Sequence, residues 1–366
     1  MSPAPKAPSS TIGGVGLTPL PGRPTIALVE AAIAQYLTPR LPGCADLSIT
    51  NLFRIPGGAS RETWMFDAAW SEDGTPHTAE FVLRKDPPAS LVESDRVVEY
   101  SFYDAFHGTG VPVPRMRWLE SDPVHLGGAF FIMDRITGCD SNTRRILEAD
   151  YNESRDALAR EMYQILAATH ALDWTQTPIA SVVDAPAAED CWKHELDYWE
   201  GMIDANELSP QPIARAAIRW LRSNPPPAPA RVGVVHGDYR VGNFLYTKSG
   251  IIGVVDWEMA HLGDPLEDLA WSFMELWEFG GNGRKGGITT VDDAVDAYEA
   301  AGGAHVDRDA LHWWDVFSGV KGQGIWLTGA RSFQEGRSQE MMLAFTSWGL
   351  INRQDEIILR SLGRGA

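Results

Sequence analysis

The sequence predicts an α+β chain in two lobes, an antiparallel sheet with one helix followed by a larger, mainly helical lobe. Three observations predict it. The chain has 366 residues, and a single core organises roughly 100–200. Short β-type runs separated by turn compositions occupy residues 48–85, the pattern of adjacent strands. Beyond Asp134 apolar residues recur instead at helical spacing, segment after segment. Hydrophobic residues make up 44% and charged residues 22% of the chain, which excludes a disordered or filamentous protein.

The elements follow in order. Residues 1–24 are rich in Pro, Ser, Gly and Ala and cannot bury enough surface to offset ordering entropy, so a mobile tail is expected. The first lobe, 25–133, holds the runs LSITNLFRI, ETWMFDAAW and AEFVLRKD, split by PGGAS and SEDGTPHT. This is the pattern of a meander. A helix is expected over 91–107, and after VPVPR the runs WLESD and AFFIMDRITG read as two more strands. In the second lobe, 134–366, helical spacing marks 154–172, 190–205, 211–222, 265–279, 291–301, 308–318 and 336–362. Within it the linker SNPPPAPA leads to a strand, RVGVVHGD, and NFLYTKSGIIGVVDW reads as a hairpin turning at Lys248, Ser249 and Gly250. That hairpin is expected to stand alone among helices.

Charge and cysteine usage narrow the function classes. The formal net charge is −18, and so acidic a surface repels nucleic-acid phosphates and anionic membranes. Cys44, Cys139 and Cys191 are far apart and odd in number, which argues against a disulfide framework or a cysteine zinc site. The first residues lack the apolar core of a secretory signal, and no run approaches the roughly 18 apolar residues of a membrane span. A cytoplasmic location is expected, and the sequence carries no signal of oligomeric state.

The chemistry concentrates in VVHGDYRVGNFLY and GIIGVVDWEMAHLGDPLEDLAW. His236, Asp238, Asn243, Asp256, Glu258 and Asp264 fall within 29 residues, at strand ends rather than along a solvated helix. Asp238 and Asn243 are five apart across a loop, and Asp256 closes the hairpin 13 residues after Asn243, so the three side chains can converge. Oxygen ligands of this kind suit a hard cation such as Mg²⁺, which takes its remaining ligands from water and phosphates. A carboxylate left over is a candidate base.

Residues 236–258, read as H-G-D-x4-N followed by D-W-E, resemble the catalytic loop of protein kinases. The longer string through GDPLEDLA is similar to the aminoglycoside phosphotransferase and choline kinase superfamily, in particular the branch found as the kinase-like domain of acyl-CoA dehydrogenase family members 10 and 11. The likeness spans roughly residues 48–350 and is more specific in the second lobe. It implies a two-lobed protein-kinase-like fold, ATP and Mg²⁺ as cofactors, and transfer of the γ-phosphoryl group to the hydroxyl of a small-molecule acceptor. It further implies Asp238 as the base, Asn243 and Asp256 as metal ligands, His236 as a support of the loop, and Glu258 as a group reaching a second metal or the substrate. Gly57, Gly58 and Ser60 would close over the phosphates, and the backbone of Ile132 and Met133 would meet adenine. Arg84 stands where kinases carry a strand lysine, with Glu99 as its helix partner. Successive strand residues face opposite ways, so Arg84 and Lys85 cannot both face the nucleotide, and Arg84 is expected there.

Several groups have structural readings. Asp264, Pro265 and Glu267 read as a helix start with a box-like acid. Asp268 complements the helix dipole and, by the resemblance, braces the loop. His170 reads as a satisfied helix-end histidine, GGNGRKGG at 280–287 as a surface loop, and the tryptophans as core. For the acceptor, the resemblance favours a hydroxylated acyl compound, whose anionic groups Arg144, Arg145 or Arg240 could meet. The acidic surface suits an aminoglycoside or an amino alcohol. A non-catalytic nucleotide-binding module is the rival from another class, prompted by the arginine at position 84.

Overall fold

The computed structural model describes residues 26–55, 62–86, 95–337 and 341–363. The tail expected over 1–24 and the turn holding Gly57, Gly58 and Ser60 lie outside them. The first lobe runs α1 (Ile26–Leu37), β1 (Cys44–Arg54), β2 (Glu62–Glu72), β3 (Thr75–Lys85), α2 (Arg96–Phe106), β4 (Met116–Glu120) and β5 (Phe130–Asp134). Its antiparallel sheet has the order β1-β2-β3-β5-β4. The three long strands form the expected meander, while β5 inserts between β3 and β4. Helix α1 was not expected, yet its buried residues Val29, Ile33, Tyr36 and Leu37 carry the four- and three-residue spacing of an amphipathic helix.

Strand alternation gives the sheet two different faces. Trp64, Phe66, Phe81, Leu83, Phe130 and Ile132 form one core with α1. Val82, Phe131 and Met133 turn the other way and join α2 and the second lobe in a continuous core. Position 84 shares the parity of Val82, so its side chain enters the cleft between the lobes. Helix α2 starts at Asp95, whose carboxylate accepts from Val97 N at 2.7 Å. Its other end rests on Trp257 of the second lobe, with the Phe106 and Trp257 rings 4.7 Å apart.

The second lobe holds α3 (Arg155–Ala171), α4 (Cys191–Asn206), α5 (Pro212–Ser223), β6 (Gly233–Val235), β7 (Phe244–Thr247), β8 (Gly250–Val254), β9 (His261–Gly263), α6 (Leu266–Ser272), α7 (Val291–Ala300), α8 (Arg308–Gln334), α9 (Met341–Phe345) and α10 (Ile351–Gly363). The β7–β8 hairpin forms as read. It does not stand alone, because β6 pairs with β9, Val235 opposite His261. Three residues are too few for periodicity to reveal. The helix expected over 265–279 ends at Ser272.

Helix α8 runs 27 residues, not the eleven of 308–318. Gly319, Gly322 and Gly324 lie just beyond 318, and each weakens a helix by about 1 kcal/mol relative to alanine. They are retained for close approach. A Cβ at Gly319 would stand 2.7 Å from Ile358, at Gly322 2.8 Å from Gln354, and at Gly324 2.9 Å from Trp199. The glycines thus seat α8 against α10 and α4, and the packing decides against the local propensity. Gly322→Ala should therefore destabilise the protein by about 1–3 kcal/mol, as overpacking does. Gly201→Ala in α4, where a Cβ meets nothing within 4 Å, should stabilise it by about 0.5–1 kcal/mol. Chemical denaturation of both variants checks the contrast, and equal effects would refute the packing account.

Candidate active site

Strand β6 ends at Val235 and delivers His236, Gly237 and Asp238 to the cleft. Gly237 has φ of +81°, and a Cβ there would collide with the Met259 carbonyl, so only glycine permits the turn. The turn is braced from α6. Asp268 accepts from His236 N at 2.7 Å and from Gly237 N at 2.9 Å. Burial pushes the Asp268 carboxyl up, but His170, with Nε2 3.3 Å away, and the loop outweigh it and hold the group below its usual range. His170 in turn meets the Tyr298 hydroxyl through Nδ1 at 2.8 Å.

The tautomer of His236 follows from its neighbours. Asp238 N donates to its Nδ1 at 3.2 Å, so the ring proton sits on Nε2, which faces Val255 O at 3.1 Å. Complete burial lowers the pKa of this imidazole, which agrees with a neutral ring. His236 therefore ties the β6 end to the β8 end.

Asp238 is held by three donors. Its Oδ1 accepts from Trp271 Nε1 at 2.7 Å and Arg240 Nε at 2.9 Å, and its Oδ2 from Asn243 Nδ2 at 2.7 Å. The same amide donates to Asp238 O at 2.7 Å. With both amide hydrogens so used, Oδ1 is the Asn243 atom left to serve as a ligand. Arg240 also lies over the Trp277 ring, 4.6 Å from its centroid. The role of Trp271 was not foreseen, although its place three residues after Asp268 puts both on one face of α6.

Asp256 sits beyond β8 in the left-handed region, φ +73°, with its N–H donated to the Tyr103 hydroxyl of α2 at 2.8 Å. Its Oδ1 meets Arg84 Nη2 at 2.6 Å. Arg84 also stands 3.4 Å from Glu99 and 3.5 Å from Glu258. One guanidinium, buried to 7% exposure, thus serves three carboxylates from both lobes. Burial pushes the Asp256 carboxyl up, but Arg84 outweighs it and holds the group below its usual range. Glu99 is shared with Arg96 one turn earlier. Lys85 turns to the other face and pairs with Glu62 at 3.1 Å. The contact from Arg84 to Asp256 spans 172 residues and was not foreseen.

Other expected groups are placed differently. Ile132 and Met133 lie within β5, flanked by β3 on one side and β4 on the other, so their backbone groups are committed to the sheet. Arg145 is paired with Glu148 and Asp150. Asp264 caps α6 through Leu266 N at 2.9 Å, and burial pushes its carboxyl up to about 6. Glu267 closes no capping box. Its carboxylate accepts from Lys321 at 2.7 Å and faces His261 Nε2 at 3.1 Å, which also stands 3.6 Å from Glu195. Glu195, His261 and Glu267 have the spacing of a metal site. Burial pulls the His261 pKa down, but the two carboxylates outweigh it and raise it to about 10, so the group reads as a charged imidazolium paired with acids.

Beside this cluster a cavity of about 260 Å³ opens between the start of α2, α4 and residues 258–261. Asp95, Glu195, Glu258, Tyr198 and Trp199 line it. No helix among the described residues is long and apolar enough to cross a membrane.

Comparison with known proteins places the chain. A family model described as the phosphotransferase enzyme family matches residues 53–314. Acyl-CoA dehydrogenase family member 10 of Mus musculus is 28% identical over 261 residues, 70% of this chain and 23% of that protein. Acyl-CoA dehydrogenase family member 11 of Gallus gallus is 28% identical over 252 residues, 66% of this chain and 30% of that protein. The chain thus spans less than a third of the length of these curated relatives. A crystal structure from Ralstonia eutropha, described as a candidate aminoglycoside phosphotransferase, superposes with a TM-score of 0.68 at 22% identity, covering 91% of this chain and 98% of that one. A thermostable mutant of the aminoglycoside phosphotransferase APH(4)-Ia, solved with ADP and hygromycin B, gives 0.57 at 16% identity, covering 91% and 98%. At such identities the structures establish the kinase-like fold. Together with the match over most of its length, they lead to one conclusion: the chain belongs to the phosphotransferase enzyme family.

Proposed function

We propose that the protein is an ATP- and Mg²⁺-dependent kinase that transfers the γ-phosphoryl group to the hydroxyl of a small molecule. The observation that carries this reading is the Asp238 carboxylate held by donors from Trp271, Arg240 and Asn243, with Asn243 O accepting from Val255 N, the neighbour of Asp256, at 2.9 Å. That APH(4)-Ia was solved with ADP supports a nucleotide as ligand.

The donor set fits the metal. Asn243, Asp256 and Glu258 offer hard oxygen ligands, the kind Mg²⁺ accepts alongside phosphate oxygens. Mg²⁺-ATP, when bound, supplies the phosphoryl group and neutralises charge developing on it. The chain's own residues do the rest. Asp238 accepts the acceptor hydroxyl proton, and Arg240 and Trp271 fix the direction of its carboxylate. His236 keeps the base and the metal ligands in register through its contacts to Asp238 N and Val255 O. Arg84 brings a cation from β3 to the phosphates, and Glu99 positions it. Gly57, Gly58 and Ser60 are assigned to the phosphates on resemblance alone. Catalysis is then positioning and charge neutralisation rather than covalent chemistry.

A hydroxylated acyl acceptor is favoured by similarity to the dehydrogenase-associated branch. A second reading has an observation of its own. The cavity beside Glu258 is lined by Asp95, Tyr198 and Trp199 as well as by Glu195, His261 and Lys321; Glu195 faces His261, so it is Asp95 and the aromatic faces that suit a cationic amino alcohol. ADP release measured with hydroxyacyl compounds, amino alcohols, aminoglycosides and no acceptor separates the two. Absence of Mg²⁺-dependent ADP release under every condition, leak to water included, would favour a non-catalytic nucleotide-binding module.

Asp238→Asn keeps the shape and loses the charge, so kcat should fall by about 10²–10⁴ with little change in ATP affinity. Asp256→Ala should abolish Mg²⁺-dependent nucleotide binding in a folded protein. Calorimetric titration with Mg²⁺-ATP beside turnover checks both, and loss of binding with kcat kept in Asp238→Asn would make that residue a metal ligand instead.

Arg84→Ala and Glu99→Ala should each raise the KM for ATP, and the double variant should lose less than the sum because the pair acts as a unit. Lys85→Ala should be nearly silent. A crippled Lys85→Ala beside a tolerated Arg84→Ala would transfer the phosphate contact to Lys85.

A further inference from the structure

The structure assigns Lys321, from the middle of α8, the part of a positioning residue for the catalytic base. The inference rests on the reading of Asp238 as that base. Lys321 is 1% exposed and donates from Nζ to Gly237 O at 2.6 Å. Gly237 O belongs to the peptide group whose nitrogen is Asp238 N, and Asp238 N donates to His236 Nδ1 at 3.2 Å. The peptide that carries the base is therefore gripped at both ends, the carbonyl by an ammonium and the N–H by an imidazole. The preceding peptide N–H is taken by Asp268 at 2.9 Å. Gly237, lacking a side chain and held in the left-handed region, has no means of its own to fix the orientation of the next residue.

A second route leads from the same ammonium to the base. Lys321 lies over the face of Trp271, 4.8 Å from its centroid, and Trp271 Nε1 donates to Asp238 Oδ1 at 2.7 Å. The ring is thus held on one face by the cation while its edge aims at the carboxylate. A point charge reaches backbone and ring at once, which a neutral donor does less strongly.

Such a cation is tolerated in the interior because the surrounding charges cancel. Glu267 takes Lys321 on one oxygen at 2.7 Å and His261 on the other at 3.1 Å, and His261 also faces Glu195 at 3.6 Å. The two acids face these two cations, with His194 Nδ1 also 3.3 Å from Glu195, and removing Lys321 or Glu267 alone leaves a buried charge short of its partner. Lys321 also borders the cavity that holds Glu195 and Tyr198, so it stands between that cavity and the catalytic loop.

The test uses the full chain with Lys321→Met, which fills the space of the stem, and with Lys321→Met/Glu267→Gln, which removes both charges together. Backbone hydrogen exchange over 236–243, melting temperature, and ADP release from Mg²⁺-ATP are measured on each. In the double variant exchange over 236–243 should quicken tenfold or more and kcat should fall about 10–100-fold, with the KM for ATP and the melting temperature close to the parent's. Lys321→Gln, which keeps an N–H donor without the charge, should recover part of both losses. Unchanged exchange over 236–243 overturns the clamp whatever the turnover. Faster exchange with parental kcat overturns the positioning role. Full recovery of kcat along with melting temperature on adding Glu267→Gln also overturns it, because only the unpaired glutamate would then have mattered. If the parent releases no ADP, the kinase reading fails while the exchange measurement still decides the clamp.

Discussion

One buried guanidinium joins the two lobes. Arg84 enters the cleft from β3 and meets Asp256 at 2.6 Å, with Glu99 and Glu258 within 3.5 Å. A cation in this position, 7% exposed, is stable only with partners, and its carboxylates repel one another without it. The same contact fixes three elements that share no local sequence: the strand, helix α2 and the end of the β7–β8 hairpin. It also holds the half-buried Asp256 carboxyl below its usual range.

The second lobe solves a comparable problem behind the loop that carries Asp238. A turn through Gly237 has no side chain to anchor it, and three helices supply the anchors. Asp268 of α6 takes two N–H groups, His170 of α3 steadies Asp268, and Lys321 of α8 takes the carbonyl. Each anchor is a charged or polar group in the interior, so each needs its own partner. This produces the chain of pairs from Tyr298 to Asp268 and from Lys321 to Glu195. The glycines of α8 allow its approach to α4 and α10, and Lys321 lies between two of them.

The net charge of −18 coexists with a cleft built around cations. Arg84, Arg240 and Lys321 all meet the segment 237–258, each neutralised by carboxylates. Bulk charge therefore argues about partners of the whole surface and decides little about one pocket, where Asp95, Glu195 and Glu258 lie beside aromatic rings.

The sequence by itself determined the two-lobed α+β class, the meander, the β7–β8 hairpin and the candidate set around Asp238, Asn243 and Asp256, because these depend on local periodicity and on short spacings across a loop. Strand alternation showed that only one of Arg84 and Lys85 can enter the cleft, and the structure decided that it is Arg84. Helix α1 was missed, although Val29, Ile33, Tyr36 and Leu37 carry helical spacing. Tertiary structure alone decided the contact of Arg84 with Asp256, the pairing of β6 with β9 and the place of Lys321 beneath Gly237, each of which joins residues far apart in the chain. It decided the length of α8 as well, where burial of Ile358 and Trp199 against glycine outweighs the weak helix propensity that a local reading registers.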